Sequence, residues 1–325
     1  MSNNILVTGG AGYIGSQICK SLKNEGFNPI VFDNLIYGHK WAVKWGDFIK
    51  GDLLDRDSIF KVLEKCNFYA VIHLASYAYV SESIENPAKY YRNNIVGAIN
   101  LLDAMLENNV KNIIFSSTCA TYGAPDAIPI KENDLQKPIN PYGSSKLAVE
   151  KIIKDYHRAY NFKYSILRYF NAAGADLDGE IGEYHTPETH LIPLVIRAAF
   201  DKKYTLKIYG NDYKTTDGTT IRDYIHVVDL ANAHTLSLKK IKNTGNSFCL
   251  NLGANFGLSV MQIINHVELL TNKKVKYEVV SRRVGDPTIL IADNNSAKEE
   301  IGWTPKYSNI SQILNSAIEW YVKNY

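Results

Sequence analysis

Along the first half of the chain, two hydrophobic patterns take turns. Short, mostly apolar runs occur at Ile5-Leu6-Val7, Pro29-Ile30-Val31-Phe32, Phe48-Ile49, Ala70-Val71-Ile72-His73-Leu74, and over 112–116 and 164–167. Between them apolar residues recur at helical spacing: Ile14, Ile18 and Leu22 within 13–22, then across 58–63, 87–106 and 142–159. Pro87 suits the first turn of its helix. Runs that are apolar throughout, rather than alternating with polar residues, predict strands covered on both faces. Strand and helix alternating with right-handed crossovers predict a doubly wound parallel sheet of the Rossmann type.

The order loosens after Asn171. Residues 172–187 are rich in Gly and charge and read as a loop. Elements resume at Leu191, and 225–238 reads as one more sheet-adding strand with its helix. The pattern therefore predicts two interleaved units. One spans 1–171 plus about 225–250 and holds the sheet. A smaller α/β unit, 172–224 with 251–325, closes over the carboxyl edge of the sheet.

Composition narrows the function classes. A chain of 325 residues can bury a large core without disulfide or metal staples. Its formal charge of +3 is dispersed, which argues against a nucleic-acid partner. Cys19, Cys66, Cys119 and Cys249 form no C-x-x-C pair, so no zinc or dithiol chemistry is expected and no metal is assigned. Free thiols fit a reducing, cytoplasmic setting. No basic-then-apolar start and no run of 18 apolar residues is present, so neither a signal peptide nor a membrane span is expected.

Three local constellations carry chemistry. The first is Thr8-Gly9-Gly10-Ala11-Gly12-Tyr13-Ile14-Gly15, placed between the first strand and the first helix. Gly9, Gly12 and Gly15 allow a tight turn, close approach of a pyrophosphate, and close helix–strand contact. The helix N-terminus then offers free N–H groups to phosphates. Ser16 follows Gly15 directly, which excludes the Gly-Lys-Ser/Thr of a phosphate-binding P-loop. Asp33 ends the second strand 18 residues beyond Gly15. A carboxylate there accepts from an adenosine ribose and repels a 2′-phosphate, favouring NAD over NADP. Asp52 reads either as an adenine contact or as part of a Gly51-Asp52 turn.

The second constellation is Pro141-Tyr142-Gly143-Ser144-Ser145-Lys146, opening a helix. Tyr142 and Lys146 are four apart and share a face. An ammonium nearby stabilises a phenolate, so Lys146 is expected to lower the Tyr142 pKa toward a general base's working range. The third is Phe115-Ser116-Ser117-Thr118 at the end of the fifth strand. A hydroxyl there can share the proton of a reacting alcohol; Thr118 is the first choice, with Ser116 and Ser117 as competitors.

With these pieces in place, the chain resembles the UDP-glucose 4-epimerases among the extended short-chain dehydrogenase/reductases. The resemblance runs end to end through Asp33-Asn34-Leu35, Leu167-Arg168-Tyr169-Phe170-Asn171, Gly210-Asn211-Asp212-Tyr213 and the segment 282–286. It implies Tyr142 as base, Lys146 as its electrostatic partner and Thr118 as the shared hydroxyl. It implies an NAD site lined by Gly9, Gly12, Tyr13, Ile14, Gly15, Asp33, Asn34, Asp52, Leu53, Leu74, Ala75, Asn93 and Phe170, with Tyr142 and Lys146. It implies a UDP-sugar site of Thr118, Asn171, His190, Leu191, Arg222, Arg283, Asp286 and Leu290. Arg222 and Arg283 also suit a diphosphate on chemical grounds, although surface ion pairs would use the same residues. The implied reaction inverts C4 of a UDP-hexose through a transient 4-keto sugar and bound NADH. A homodimer through the helices near 87–106 and 142–159 is implied as well.

Departures from the family pattern sharpen the expectation. Ala78 stands where a Lys is common, and His190 where some members have Asn. Leu290 stands where members confined to plain UDP-hexoses often carry Tyr. A smaller side chain there leaves room for an N-acetyl group, so activity on UDP-GlcNAc/UDP-GalNAc is expected too. A 4,6-dehydratase would need acidic residues after Thr118, where Cys119 and Ala120 stand. A UDP-glucuronate epimerase or decarboxylase is the nearest alternative. A non-catalytic NAD-sensing scaffold, the alternative of another class, has no need of the intact Tyr–Lys pair.

Overall fold

The computed structural model describes residues 2–283 and 285–325; Met1, in the first predicted unit, and Val284, within the 282–286 segment, lie outside the described residues. Six strands follow one another in the first half: β1 Asn4–Thr8, β2 Asn28–Asp33, β3 Asp47–Lys50, β4 Phe68–His73, β5 Asn112–Thr118 and β6 Lys163–Tyr169. Helices fill the intervals: α1 Tyr13–Asn24, α2 Arg56–Lys65, α3 Val80–Glu85, α4 Pro87–Tyr91, α5 Gly97–Glu107 and α6 Pro141–Tyr160. Between α4 and α5, Arg92–Val96 form a π turn, so the predicted 87–106 helix is locally underwound rather than uniform.

The strands and Phe248–Leu252 make a seven-stranded sheet in the order Phe248–Leu252, β6, β5, β4, β1, β2, β3. Every pairing in it is parallel. The solid apolar runs are explained by the two faces. Ile5 and Val7 of β1 enter the core beneath α1, whereas Leu6 enters the core on the other face. In β5, Ile114 takes the first side and Ile113 and Phe115 the second. A period-two strand between two helix layers has no solvent face, hence no polar alternation.

Three expectations change. The strand near 225 is Tyr224–His226, and it pairs with Asn171–Ala173 rather than joining the large sheet. The strand that does join the large sheet in this part of the chain is Phe248–Leu252, at its edge, reached after the helix Val227–Thr244. The 172–187 stretch is thus not wholly loop; it begins in that strand and closes with a bridge between Ala175 and Gly182. Ala297, Ile301 and Trp303, assigned from sequence to the second unit, pack into the first core with Leu230, Ala231 and Leu250. A separate core joins Ile192, Val195 and Ile196 to Ile263, Ile264, Val267, Ile313 and Leu314. No described helix is long and apolar enough to cross a membrane.

Candidate functional site

Strand order reverses between β1 and β4, since the chain proceeds to β2 and β3 on one side before β4 starts the other. A crevice opens at the carboxyl ends of strands at such a point. Here a cleft of about 1030 Å³ runs from it toward the second core, and every residue put forward for the cofactor and the sugar lines it.

The glycine turn is as tight as its residues allow. Gly9 has φ +75°, and a Cβ on it would stand 2.7 Å from the Ala75 amide nitrogen. A Cβ on Gly15 would stand 2.2 Å from the Gly9 carbonyl oxygen, so α1 begins pressed against the turn. The Ala75 and Leu74 amides both donate to the Thr8 carbonyl, at 3.1 and 3.0 Å, which brings the end of β4 against the turn. Asp33 accepts from the Ala11 amide at 3.1 Å and the Leu35 amide at 2.8 Å. Burial raises its pKa, with the two amides pulling the other way. Asp52 accepts from the Asn34 side chain at 2.9 Å and from the Leu54 amide at 2.8 Å, so it is both a turn former and a cleft residue. The π turn carries Asn93 to the cleft, where it donates to Asn94 at 2.9 Å.

Local rules place Tyr142. Asn140 caps α6 by accepting from the Gly143 amide at 2.8 Å, and Pro141 opens the first turn. Gly143 lies so close to the 119–121 turn that a Cβ would stand 2.4 Å from the Ala120 carbonyl oxygen. The phenol of Tyr142, one residue before it, stands beside the Thr118 hydroxyl. The three hydroxyls at the end of β5 have different fates. Ser117 donates to Glu150 at 2.5 Å, and Ser116 is bonded to the Tyr169 hydroxyl. The Thr118 hydroxyl accepts from the Ala120 amide at 3.1 Å and meets the Tyr142 phenol.

Electrostatics at this spot differ from the expectation. Burial pushes the Tyr142 phenol well above its ordinary value, Tyr169 adds to this, and Thr118 only partly offsets it. Lys146 is not among the groups that offset this; it is itself buried, and its pKa falls to about 7, with Glu150 resisting. Its ammonium donates to the Ser116 carbonyl at 2.7 Å. Desolvation outweighs what Thr118 does for Tyr142 and what Glu150 does for Lys146, since each group loses more hydration than one neighbour restores. Two turns below Tyr142 on α6, Glu150 is locked in a buried ion pair with Arg168 at 2.7 Å.

The sugar-side candidates converge from the second half. Arg222 pairs with Asp286 and donates to the Pro287 carbonyl at 2.7 Å, so two expected ligand residues hold each other. The Arg283 guanidinium stacks on Tyr209 at 3.8 Å. Leu290 is buried against Cys119, Tyr122, Ile130 and Phe170, and the Asp223 amide donates to its carbonyl at 3.0 Å. Phe170, Asn171 and Leu191 line the same stretch.

Sequence reasoning picked out His190 but missed its company. Glu183, His185 and Glu188 crowd around it along the cleft wall. Burial opposes charge on both histidines, yet Glu183 and Glu188 win, raising His185 to about 9 and His190 to about 10. The signal lay in the spacing Glu-x-His-x-x-Glu-x-His over 183–190.

Comparisons with known proteins agree with this geometry. The model of the "NAD dependent epimerase/dehydratase family" matches residues 5–253. A UDP-glucose 4-epimerase of Streptococcus mutans is 48% identical over 320 residues, covering 98% of this chain and 96% of that protein. A crystal structure of UDP-glucose 4-epimerase from Brucella ovis in complex with NAD superposes with a TM-score of 0.95 at 50% identity, over 98% of both chains. The UDP-Glc/GlcNAc 4-epimerase of Campylobacter jejuni gives 0.86 at 39% identity, over 99% of this chain and 100% of that one.

Proposed function

The chain belongs to the NAD dependent epimerase/dehydratase family, and on that premise we propose that it inverts C4 of a UDP-hexose, interconverting UDP-glucose and UDP-galactose. The observation that carries the reading is the meeting of the Tyr142 phenol and the Thr118 hydroxyl in the cleft that the glycine turn opens. Gly9, Gly12 and Gly15, with Asp33 at the ribose position, fit NAD: at Gly9 and Gly15 any Cβ collides, while Gly12 meets only one atom, at 3.3 Å. Bound there, NAD would supply a reversible hydride acceptor for C4 and a cationic ring beside the Tyr142 phenol.

The side chains divide the remaining work. Tyr142 removes the proton of the 4-hydroxyl and gives it back after the sugar has turned. Thr118 holds that hydroxyl and orients it. Lys146, fastened to the Ser116 carbonyl, keeps its charge about one turn along α6 from the Tyr142 phenol. Its pKa near 7 makes that charge titratable in the working range. Arg222, Arg283 and Asp286 take the diphosphate end; Asn171, His190 and Leu191 bound the sugar. Exposed Tyr91 and Val96, on the first of the two helical stretches expected to pair, support a homodimer, which sedimentation tests. Four free cysteines support a cytoplasmic setting.

The test is turnover of UDP-glucose by purified protein without added cofactor. Tyr142→Phe is expected to lose about 10²- to 10⁴-fold in kcat and to keep bound NAD. Turnover within threefold of wild type removes Tyr142 as the base. UDP-glucuronate in the same assay separates the glucuronate alternative.

A second substrate class follows from Leu290. Its buried aliphatic side chain supports acceptance of UDP-GlcNAc and UDP-GalNAc, the sugar pair to which the Campylobacter jejuni neighbour's name extends. Leu290→Tyr is expected to cost the N-acetylated substrate at least tenfold in kcat/KM and to spare UDP-glucose. Equal retention of both activities ends the gate idea.

A further inference from the structure

We propose that Glu183, His185, Glu188 and His190 form a binding site for one divalent transition-metal ion, zinc by their donor chemistry. One ligand atom from each residue lies within 4.8 Å of all the others. The His190 Nδ1 is 2.8 Å from carboxylate oxygens of both Glu183 and Glu188. The His185 Nδ1 is 3.4 Å from Glu183 and 3.3 Å from Glu188. A tetrahedron with metal–ligand bonds of about 2.0–2.1 Å has edges of about 3.4 Å. The four groups therefore stand near the spacing they would keep around an ion, which would take the place of the imidazole protons now held by the glutamates and release them to solvent.

Donor type narrows the ion. Two imidazole nitrogens with two carboxylate oxygens suit zinc and its neighbours, whereas calcium and magnesium prefer oxygen alone. The ligands are also held from behind. The Trp320 indole donates to the Glu183 carbonyl at 3.0 Å, and His39 Nε2 lies 3.0 Å from the Tyr184 carbonyl. Glu188 accepts from the Thr189 and His190 amides at 2.7 and 2.8 Å. A segment fixed at both ends loses little entropy on taking up an ion. The cluster of Asp176, Asp178 and Glu180 is a different case, because the Lys20 ammonium already sits among its carboxylates at 2.6–3.0 Å.

Such an ion would tie together residues 183–190 at the cleft wall, immediately before the helix α7, Leu191–Phe200. Its role is to pin the wall beside the sugar candidates His190 and Leu191. The assignment does not depend on the epimerase reading, and its primary readouts are independent of turnover.

The experiment uses NAD-loaded protein stripped with a chelator, dialysed and titrated with zinc chloride by calorimetry. One zinc per chain is expected, with a rise in Tm as zinc is added. His185→Ala and Glu188→Gln, the latter nearly isosteric, are each expected to weaken binding at least tenfold and abolish the Tm response. Asp178→Asn/Glu180→Gln is expected to leave uptake unchanged. A crystal soaked in zinc should show an anomalous peak between the two imidazoles. Absence of stoichiometric uptake, uptake unaffected by His185→Ala and Glu188→Gln, or a peak elsewhere overturns the assignment and leaves the four residues as an ion-pair cluster.

Discussion

Arg168→Met tests how α6 is held behind Tyr142 and Thr118. Arg168 is 2% exposed, and its guanidinium is fully committed. Nε and Nη2 reach Glu150 at 2.9 and 2.7 Å, Nη1 reaches the Tyr122 hydroxyl at 2.8 Å and the Glu132 carbonyl at 2.9 Å, and Nη2 reaches Gln136 at 3.2 Å. Methionine leaves the buried Glu150 carboxylate with only the Ser117 and Gln136 donors. Breaking one side of a buried pair costs about 3–5 kcal/mol, because an uncompensated charge stays inside. Near 60 °C the unfolding entropy is about 2.1 cal/mol/K per residue, so 4 kcal/mol lowers Tm by about 6 °C in a chain of this length. Removing both charges, as Arg168→Met/Glu150→Leu, should recover most of that loss, since a hydrophobic pair of similar volume does as well as the ion pair. Calorimetry of both variants at one fixed NAD concentration reads the outcome. A single variant within about 1 °C of wild type would falsify the account, and so would a double variant no more stable than the single.

Other outcomes follow from the same geometry. Gly9→Ala forces a Cβ to 2.7 Å from the Ala75 amide at φ +75°; reduced NAD retention with a stability loss of about 1–3 kcal/mol is expected, and unchanged cofactor content in the purified protein would contradict it. Gly143→Ala drives a Cβ to 2.4 Å from the Ala120 carbonyl and should part Tyr142 from Thr118; kcat is expected to fall at least tenfold while NAD content holds, and an unaltered kcat rules out that contact as the positioning device. Burial lowers the Lys146 pKa to about 7 in the folded chain, from an ordinary 10.5. Between those values the unfolded chain binds the extra proton, so the destabilising effect is complete below pH 7 and fades as pH rises toward 10. Wild-type stability should thus gain on Lys146→Met by up to about 1.4 kcal/mol per pH unit across that window; parallel curves for the two proteins argue against it.

Much of the fold was legible locally. The apolar runs marked β1 to β6 because a strand between two helix layers needs apolar residues on both faces, a demand each residue meets where it stands. The glycine turn was legible because steric exclusion at Gly9 and Gly15 acts between the turn and the strands and helix it joins. The start of α6 was legible in Pro141, a first-turn proline, while the Asn140 cap ahead of it emerged only in the structure. The 224–226 strand was misplaced because an apolar run states that a strand is buried, not beside which partner; the partner is Asn171–Ala173.

What the chain determined alone, then, is the list of elements and the chemical groups that end up in the cleft, because periodicity, capping and steric turns are set by neighbours in sequence. What only the tertiary structure decided is which hydroxyl at the end of β5 meets the Tyr142 phenol, how burial moves Tyr142 and Lys146 away from ordinary titration, and that two glutamates join two histidines beside the cleft. Desolvation and convergence are sums over atoms distant in the chain, so no short window of residues contains them.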